Sequence, residues 1–187
     1  MATLNEDLTP KLVEFQREII PTATTIAALF NPANPTNPTF IGNLRKVAGA
    51  IGLQVLPVAL KSPDELDSVF AALVAQHPDT LQLVADSGNL DLSDRIAALA
   101  LAHRLPSFST ITVYAEVGGL LAYGISLRTL FVRSASFIKR ILDGANPGDL
   151  PVEQPTKIEL VINLKTAKEL GLSIPPTLLS RADDVIE

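Results

Sequence analysis

Thr25–Ala59, TIAALFNPANPTNPTFIGNLRKVAGAIGLQVLPVA, contains the repeating unit of the fold. Ile26–Phe30 is short and continuously apolar, the pattern of a strand buried on both faces of a parallel sheet. Asn37-Pro38 then opens a helix, where proline's missing N–H costs nothing because first-turn N–H groups have no intrahelical acceptor. Ile41, Leu44, Val47, Ala48 and Ile51 recur at helical spacing, and Gly52 closes the helix. Val55–Ala59 is a second apolar run. Strand, helix and strand in that order make a βαβ unit with a crossover.

The alternation continues in both directions. Upstream, Thr9-Pro10 reads as N-cap and first helical position, with Leu12, Phe15 and Ile19 on one face. Downstream, Ser62-Pro63-Asp64-Glu65 has the form of a capping box, followed by the stripe Leu66, Val69, Phe70 and Leu73. Strands are expected at Leu81–Ala85, Pro106–Ser109, Leu120–Tyr123 and Ile158–Ile162. Helices are expected from near Asp91 (burying Ile96, Leu99 and Ala100), from Ser126 to about Asp143, and from Asn163 to Gly171. The fold class is therefore α/β, a doubly wound and mostly parallel sheet. Gly144–Pro155, rich in glycine and proline, is the one linker-like stretch.

Composition narrows the function classes. The 187 residues suffice for one ordinary domain. Apolar residues make up 47% and the mean hydropathy is +0.30, which fills a core and leaves a surplus that some face must cover. The net charge of −5 comes without a basic stripe, so nucleic-acid binding is not expected. Absence of cysteine removes disulfides, thiolate nucleophiles and thiolate-held zinc. No apolar run reaches membrane-spanning length, and Glu6, Asp7, Glu14 and Glu18 lie where a signal peptide's apolar region would be. The chain as given would stay where it is made.

Chemistry has little to work with. His77 and His103 both sit at expected helix C-termini, where an imidazolium is favoured by the dipole. Neither belongs to a metal-spaced cluster, and no phosphate loop or nucleophile elbow is present. No enzyme, cofactor or metal site is expected. Binding is another matter, because in doubly wound sheets ligands sit at the carboxyl ends of the strands. Three polar loops fall there: Asn31–Pro38 after the first strand, Asp86-Ser87-Gly88-Asn89 after the third, and Ser107–Thr110 after the fourth. The candidate ligand-binding residues are Asn34, Thr36, Asn37, Asp86, Ser87, Phe108 and Tyr123. Asp86 also suggests a phospho-acceptor domain, but Asn31-Pro32 stands where that chemistry needs acids to hold a metal.

The runs TIAALFNPANP (Thr25–Pro35) and DRIAALALAHRLPSF (Asp94–Phe108) resemble the substrate-binding proteins of ABC importers. The resemblance becomes specific at AEVGGLLAYG (Ala115–Gly124) and over Leu150–Glu187, and it runs end to end. It implies one lobe of a type I periplasmic-binding-protein-like fold, a small organic solute such as an amino acid, an ABC permease as partner and a periplasmic location. It also implies that residues 1–110 and 155–187 form the second lobe. Residues 111–154 would then supply the crossover, strand and helix of a first lobe whose main body is missing. Thr112-Val113, where an Arg-Glu pair is expected, and Ser87-Gly88 depart from the family pattern and leave the ligand type open. The alternative is a ligand-free interaction module derived from the same fold.

One consequence is an orphaned helix. Leu127, Leu130, Phe131, Phe137, Ile138 and Ile141 form an apolar stripe between Arg128, Arg133, Lys139 and Arg140. Without a first lobe to cover it, the stripe predicts a homodimer, with Leu120–Tyr123 as an unpaired edge strand beside it.

Overall fold

The computed structural model describes residues 2–151 and 157–187, with side chains from Leu8 onward. Helix α1 (Ala2–Ile19) precedes strand β1 (Thr25–Phe30), α2 (Asn37–Ala50), β2 (Gln54–Ala59), α3 (Leu66–Val74) and β3 (Thr80–Leu83). Then follow α4 (Ser87–Leu90), α5 (Ser93–Ala102), β4 (Ser107–Ile111), α6 (Val113–Glu116), β5 (Leu121–Ile125) and α7 (Leu127–Leu142). Strand β6 (Ile158–Asn163), α8 (Leu164–Leu170), α9 (Pro176–Leu179) and β7 (Asp184–Ile186) complete the described chain. The strands form one sheet in the order β2-β1-β3-β4-β5-β6-β7. Every neighbouring pair is parallel except β5 with β6, which confirms the α/β, mostly parallel class. No helix among the described residues is long and apolar enough to cross a membrane.

Helices cover both faces, and the alternation of side chains along each strand decides which core each residue joins. Ile26 and Ala28 of β1 pack with Phe40, Ile41, Leu44 and Ala48 of α2. Their neighbours Ala27 and Leu29 pack with Leu66, Phe70 and Leu73 of α3 and Ile96, Ala97 and Ala100 of α5. A third cluster joins Leu12, Phe15 and Ile19 of α1 to Phe108, Leu121, Leu160 and Ile162, closed by Leu178 of α9. Phe15 also meets Tyr123 edge-on at 5.2 Å and lies beneath the guanidinium of Arg181 at 4.9 Å, tying the first helix to the end of the chain. Pro57 sits in the edge strand β2, where a missing ladder donor is tolerated.

Several local expectations need correction. Thr9 does not cap α1: the helix starts at Ala2 and runs through Pro10, losing one backbone bond that the burial of Leu8, Leu12, Val13 and Phe15 offsets. The capping box does not form. Pro63–Glu65 make a 3-10 turn, closed by the Glu65 amide on the Ser62 carbonyl at 3.2 Å, and no side chain caps α3. Asn163 and Gly171 do bracket α8, the former accepting from the Thr166 amide and the latter left-handed at φ 73°.

The strand expected as an unpaired edge is β5, hydrogen-bonded to β4 on one side and β6 on the other. An apolar run such as Leu120–Tyr123 shows that a strand is buried, not which sheet buries it. At its carboxyl end the ladder is irregular. Between the pairs Ser109↔Ala122 and Ile111↔Ile125, β5 places Tyr123 and Gly124 against Thr110 alone, a bulge of the kind that bends a strand. Gly124 is required there, because a Cβ on it would lie 1.6 Å from the Thr110 carbonyl oxygen. Part of the Gly144–Pro155 linker, and the start of the 155–187 segment, lie outside the described residues.

Candidate functional site

The chain runs from β1 outward to β2 and then back past β1 to β3, so the strand order reverses between β1 and β3. The crevice beyond the carboxyl ends of such a pair is where doubly wound sheets hold ligands. Two polar loops meet across it. Asn31 Nδ2 donates to Asp86 Oδ1 at 3.0 Å and Asn34 Nδ2 to Asp86 Oδ2 at 2.5 Å. The Gly88 amide donates to Asp86 Oδ1 at 3.0 Å, so one carboxylate caps α4 and clamps the loop after β1.

Each loop is also braced internally. Asn31 Oδ1 accepts from the Ala33 amide at 2.9 Å, and Asn34 Oδ1 from the Thr36 amide and hydroxyl at 3.0 and 2.8 Å. These are Asx turns, the local bonds that asparagine favours over helix or strand. Asn37 Nδ2 donates to the Asn31 carbonyl at 2.7 Å, and Asn89 Nδ2 to the Val84 carbonyl at 3.0 Å.

Of the seven candidate residues, the structure gathers five at this crevice. Asp86 and Asn37 are buried, Asn34 is half-buried, and Thr36 and Ser87 are exposed. Phe108 and Tyr123 are not among them. Phe108 lies inside β4, fully buried beneath α1, and Tyr123 packs against Phe15 on that same face. Ser107, Phe108 and Ser109 alternate across a strand, so the aromatic among hydroxyls is a core residue between two residues of the opposite face. Asn31 and Gly88 are the partners that sequence reasoning left out; both stood in the quoted loops, but nothing in the sequence paired them across the crevice.

Burial by itself would raise the Asp86 pKa, yet the bonds from Asn31, Asn34 and the Gly88 and Asn89 backbone outweigh it and hold the carboxyl below its usual range. Asp79, on the opposite edge, is lowered in the same way against its own burial by the Thr24 and Thr25 amides and the Thr24 hydroxyl. A depressed folded-state pKa gives stability that is full above the unfolded value of about 3.9 and is lost as pH falls through the folded value. The double variant Asp79→Asn/Asp86→Asn is therefore expected to be less stable at pH 7 and to lose less on acidification. Urea midpoints at pH 7 and pH 3 measure this, and equal drops in both proteins would show that these carboxylates do not drive acid unfolding.

A cavity of about 60 Å³ lies beside the clamp, lined by Asn31, Leu60, Ser62, Gly88 and Leu92 among others. Pockets that enclose a small organic molecule are about 300–1,000 Å³, so this cavity does not by itself enclose one.

A model of the family described as ABC transporter substrate binding protein matches residues 3–186. The tyrosine-binding protein of Clostridioides difficile (strain R20291) is 21% identical over 162 residues, covering 87% of this chain and 47% of that protein. Among solved structures, an ABC domain in complex with L-Trp from Streptococcus pneumonia superposes with a TM-score of 0.83 at 28% identity, over 95% of this chain and 62% of that one. A conserved domain protein from Vibrio cholerae O1 biovar eltor gives 0.82 at 25% identity, over 95% and 60%. The chain thus spans about half the length of the curated relative (47%) and about three-fifths of the two structures (62% and 60%).

Proposed function

The chain belongs to the ABC transporter substrate binding protein family, and from that premise we propose that it holds a small organic solute, an amino acid, for an ABC importer. The observation that carries this reading is the clamp of Asn31, Asn34 and Asp86 across the β1/β3 crevice, which presents a rigid polar wall where the fold binds ligands. Relatives described as tyrosine-binding and as a complex with L-Trp support the solute class. Asn34, Thr36, Asn37, Asp86 and Ser87 are the residues proposed to face it. The solute is bound and released unchanged, in the periplasm, and delivered to a permease.

In this reading residues 1–110 and 155–187 make one lobe, and 111–154 connect it to another. Because β5 is built into the sheet, α7 is the part of that connection that reaches away. One wall supplies about half the contacts of a closed cleft, so the affinity of the 187-residue chain is expected at a dissociation constant on the order of 1 mM, about −4 kcal/mol. Thermal-shift screening against the amino acids, followed by calorimetry, tests this. Micromolar binding by a monomer would contradict the single-wall reading, and no binding to any amino acid would favour an interaction module that has lost its ligand. The same reading has a second copy of the chain cover α7.

A further inference from the structure

A second hollow opens on the same edge of the sheet, at the start of α7, with a volume of about 470 Å³, within the range that encloses a small organic ligand. Three carboxylates line it from three separate elements: Glu116 of α6, Glu159 of β6 and Asp184 of β7. They form no group able to hold a metal ion among the described residues. An extended organic cation suits carboxylates spread this way. Glu159 is already paired with Lys157 at 2.8 Å, whereas Glu116 is exposed and has no side-chain partner among the described residues. Asp184 keeps one carboxylate oxygen clear of the Val185 amide that its Oδ1 accepts at 3.0 Å.

The opposite wall is positive. Arg128 lines the hollow, and the first-turn amides of α7 lie beside it, where a helix presents N–H groups without intrahelical acceptors. The Ser126 hydroxyl takes up the Thr129 amide and its carbonyl the Leu130 amide. Between the two walls sits Thr112, also in the lining, 3% exposed and with a hydroxyl that makes no hydrogen bond within the described residues. A polar ligand in the hollow would supply that hydroxyl with a partner. No aromatic ring among the described residues lines the hollow, so an indole or phenol finds no stacking surface in that lining.

We propose that this hollow binds a dibasic amino acid such as L-lysine or L-ornithine, its carboxylate at Arg128 and the α7 N-terminus and its ammonium groups at Glu116 and Asp184. The inference rests on reading this edge as the solute wall, and it adds a second solute site apart from the β1/β3 crevice. Calorimetry on the 187-residue chain with L-lysine, cadaverine and L-tyrosine tests it, using Glu116→Gln and Arg128→Gln at exposed positions. L-Lysine is expected to bind more tightly than L-tyrosine and to weaken roughly tenfold in each variant, since each removes one charge-assisted contact. Cadaverine, lacking the carboxylate, is expected to respond to Glu116→Gln and not to Arg128→Gln. L-Lysine binding that neither variant changes would overturn the site. L-Tyrosine binding without L-lysine binding would overturn this inference alone, and failure of every amino acid would overturn the solute reading with it.

Discussion

Gly124→Ala is expected to cost about 4 kcal/mol or more, enough to leave most of a marginally stable domain unfolded. The added Cβ would lie 1.6 Å from the Thr110 carbonyl oxygen and 2.4 Å from its carbonyl carbon. Those are backbone atoms, so no side-chain rotation relieves the clash. Nor can β5 retreat, because Tyr123 and Gly124 are also in register with Leu160 and Glu159 of β6. Opening the β4–β5 ladder would expose Phe108 and Leu121, both fully buried. Gly42→Ala is the control. A Cβ there meets nothing within 4 Å, and alanine in an exposed helix interior is favoured over glycine by about 0.5–1 kcal/mol. Urea unfolding followed by circular dichroism should raise the midpoint for Gly42→Ala and lower it sharply, or show no folded baseline, for Gly124→Ala. A wild-type midpoint for Gly124→Ala would mean that the bulge at Thr110 is not formed.

Gly124 also shows where reading from sequence stopped. The central strands were legible because apolar runs such as Ile26–Phe30 and Leu81–Ala85 sit between helices with periodic stripes, and burial is what those patterns encode. Elements of three or four residues, α4, α6, α9 and β7, span about one helical turn or a single alternation and leave no periodicity to detect. β5 was legible as a strand and misplaced as an edge, because the choice of sheet is made by partners distant in sequence: Ser109 pairs with Ala122 and Leu160 with Tyr123. The crevice followed the same division. That the loops after β1 and β3 share an edge follows from strand direction alone. That Asp86 would be saturated by Asn31, Asn34 and the Gly88 amide depends on the path of both loops, which their composition does not determine. Phe108 missed the crevice by boundary: β4 runs to Ile111, so the loop begins after the aromatic rather than at it.

Phe131→Asp is expected to convert a dimer into monomers. None of the residues of α7 is buried, and Phe131, Val132, Ile138 and Leu142 are 73%, 69%, 58% and 81% exposed. Phe131 and Ile138 of the expected stripe fall on one face with Leu142, which the stripe did not include, while Leu127, Leu130 and Phe137 of that stripe are half-buried. Fully burying a large apolar side chain is worth about 1.5–3 kcal/mol, so the three on that face in each copy give a gross gain on the order of 10 kcal/mol. Association costs and side-chain ordering consume much of that, leaving a dissociation constant on the order of micromolar. A two-fold pairing of α7 helices brings the same stripe against itself, and it also brings Arg128 and Arg140 of each copy near those of the other, Lys139 being paired with Asp143. The helix has no acid between Leu127 and Leu142, so repulsion opposes the pairing and added salt, by screening it, should tighten the dimer. An interface held by ion pairs would respond in the opposite direction. Light scattering of the wild-type chain should therefore give a mass near twice 19.9 kDa, persisting to lower protein concentration as salt is raised. Phe131→Asp places a carboxylate from each copy in the seam and should weaken association at least about a hundredfold, the effect of stranding a charge without a desolvated partner. Phe131→Ala, which adds no charge, should weaken it less and keep the salt response. A wild-type monomer at millimolar concentration and high salt would rule out self-association through α7 and leave the stripe to a partner of different sequence.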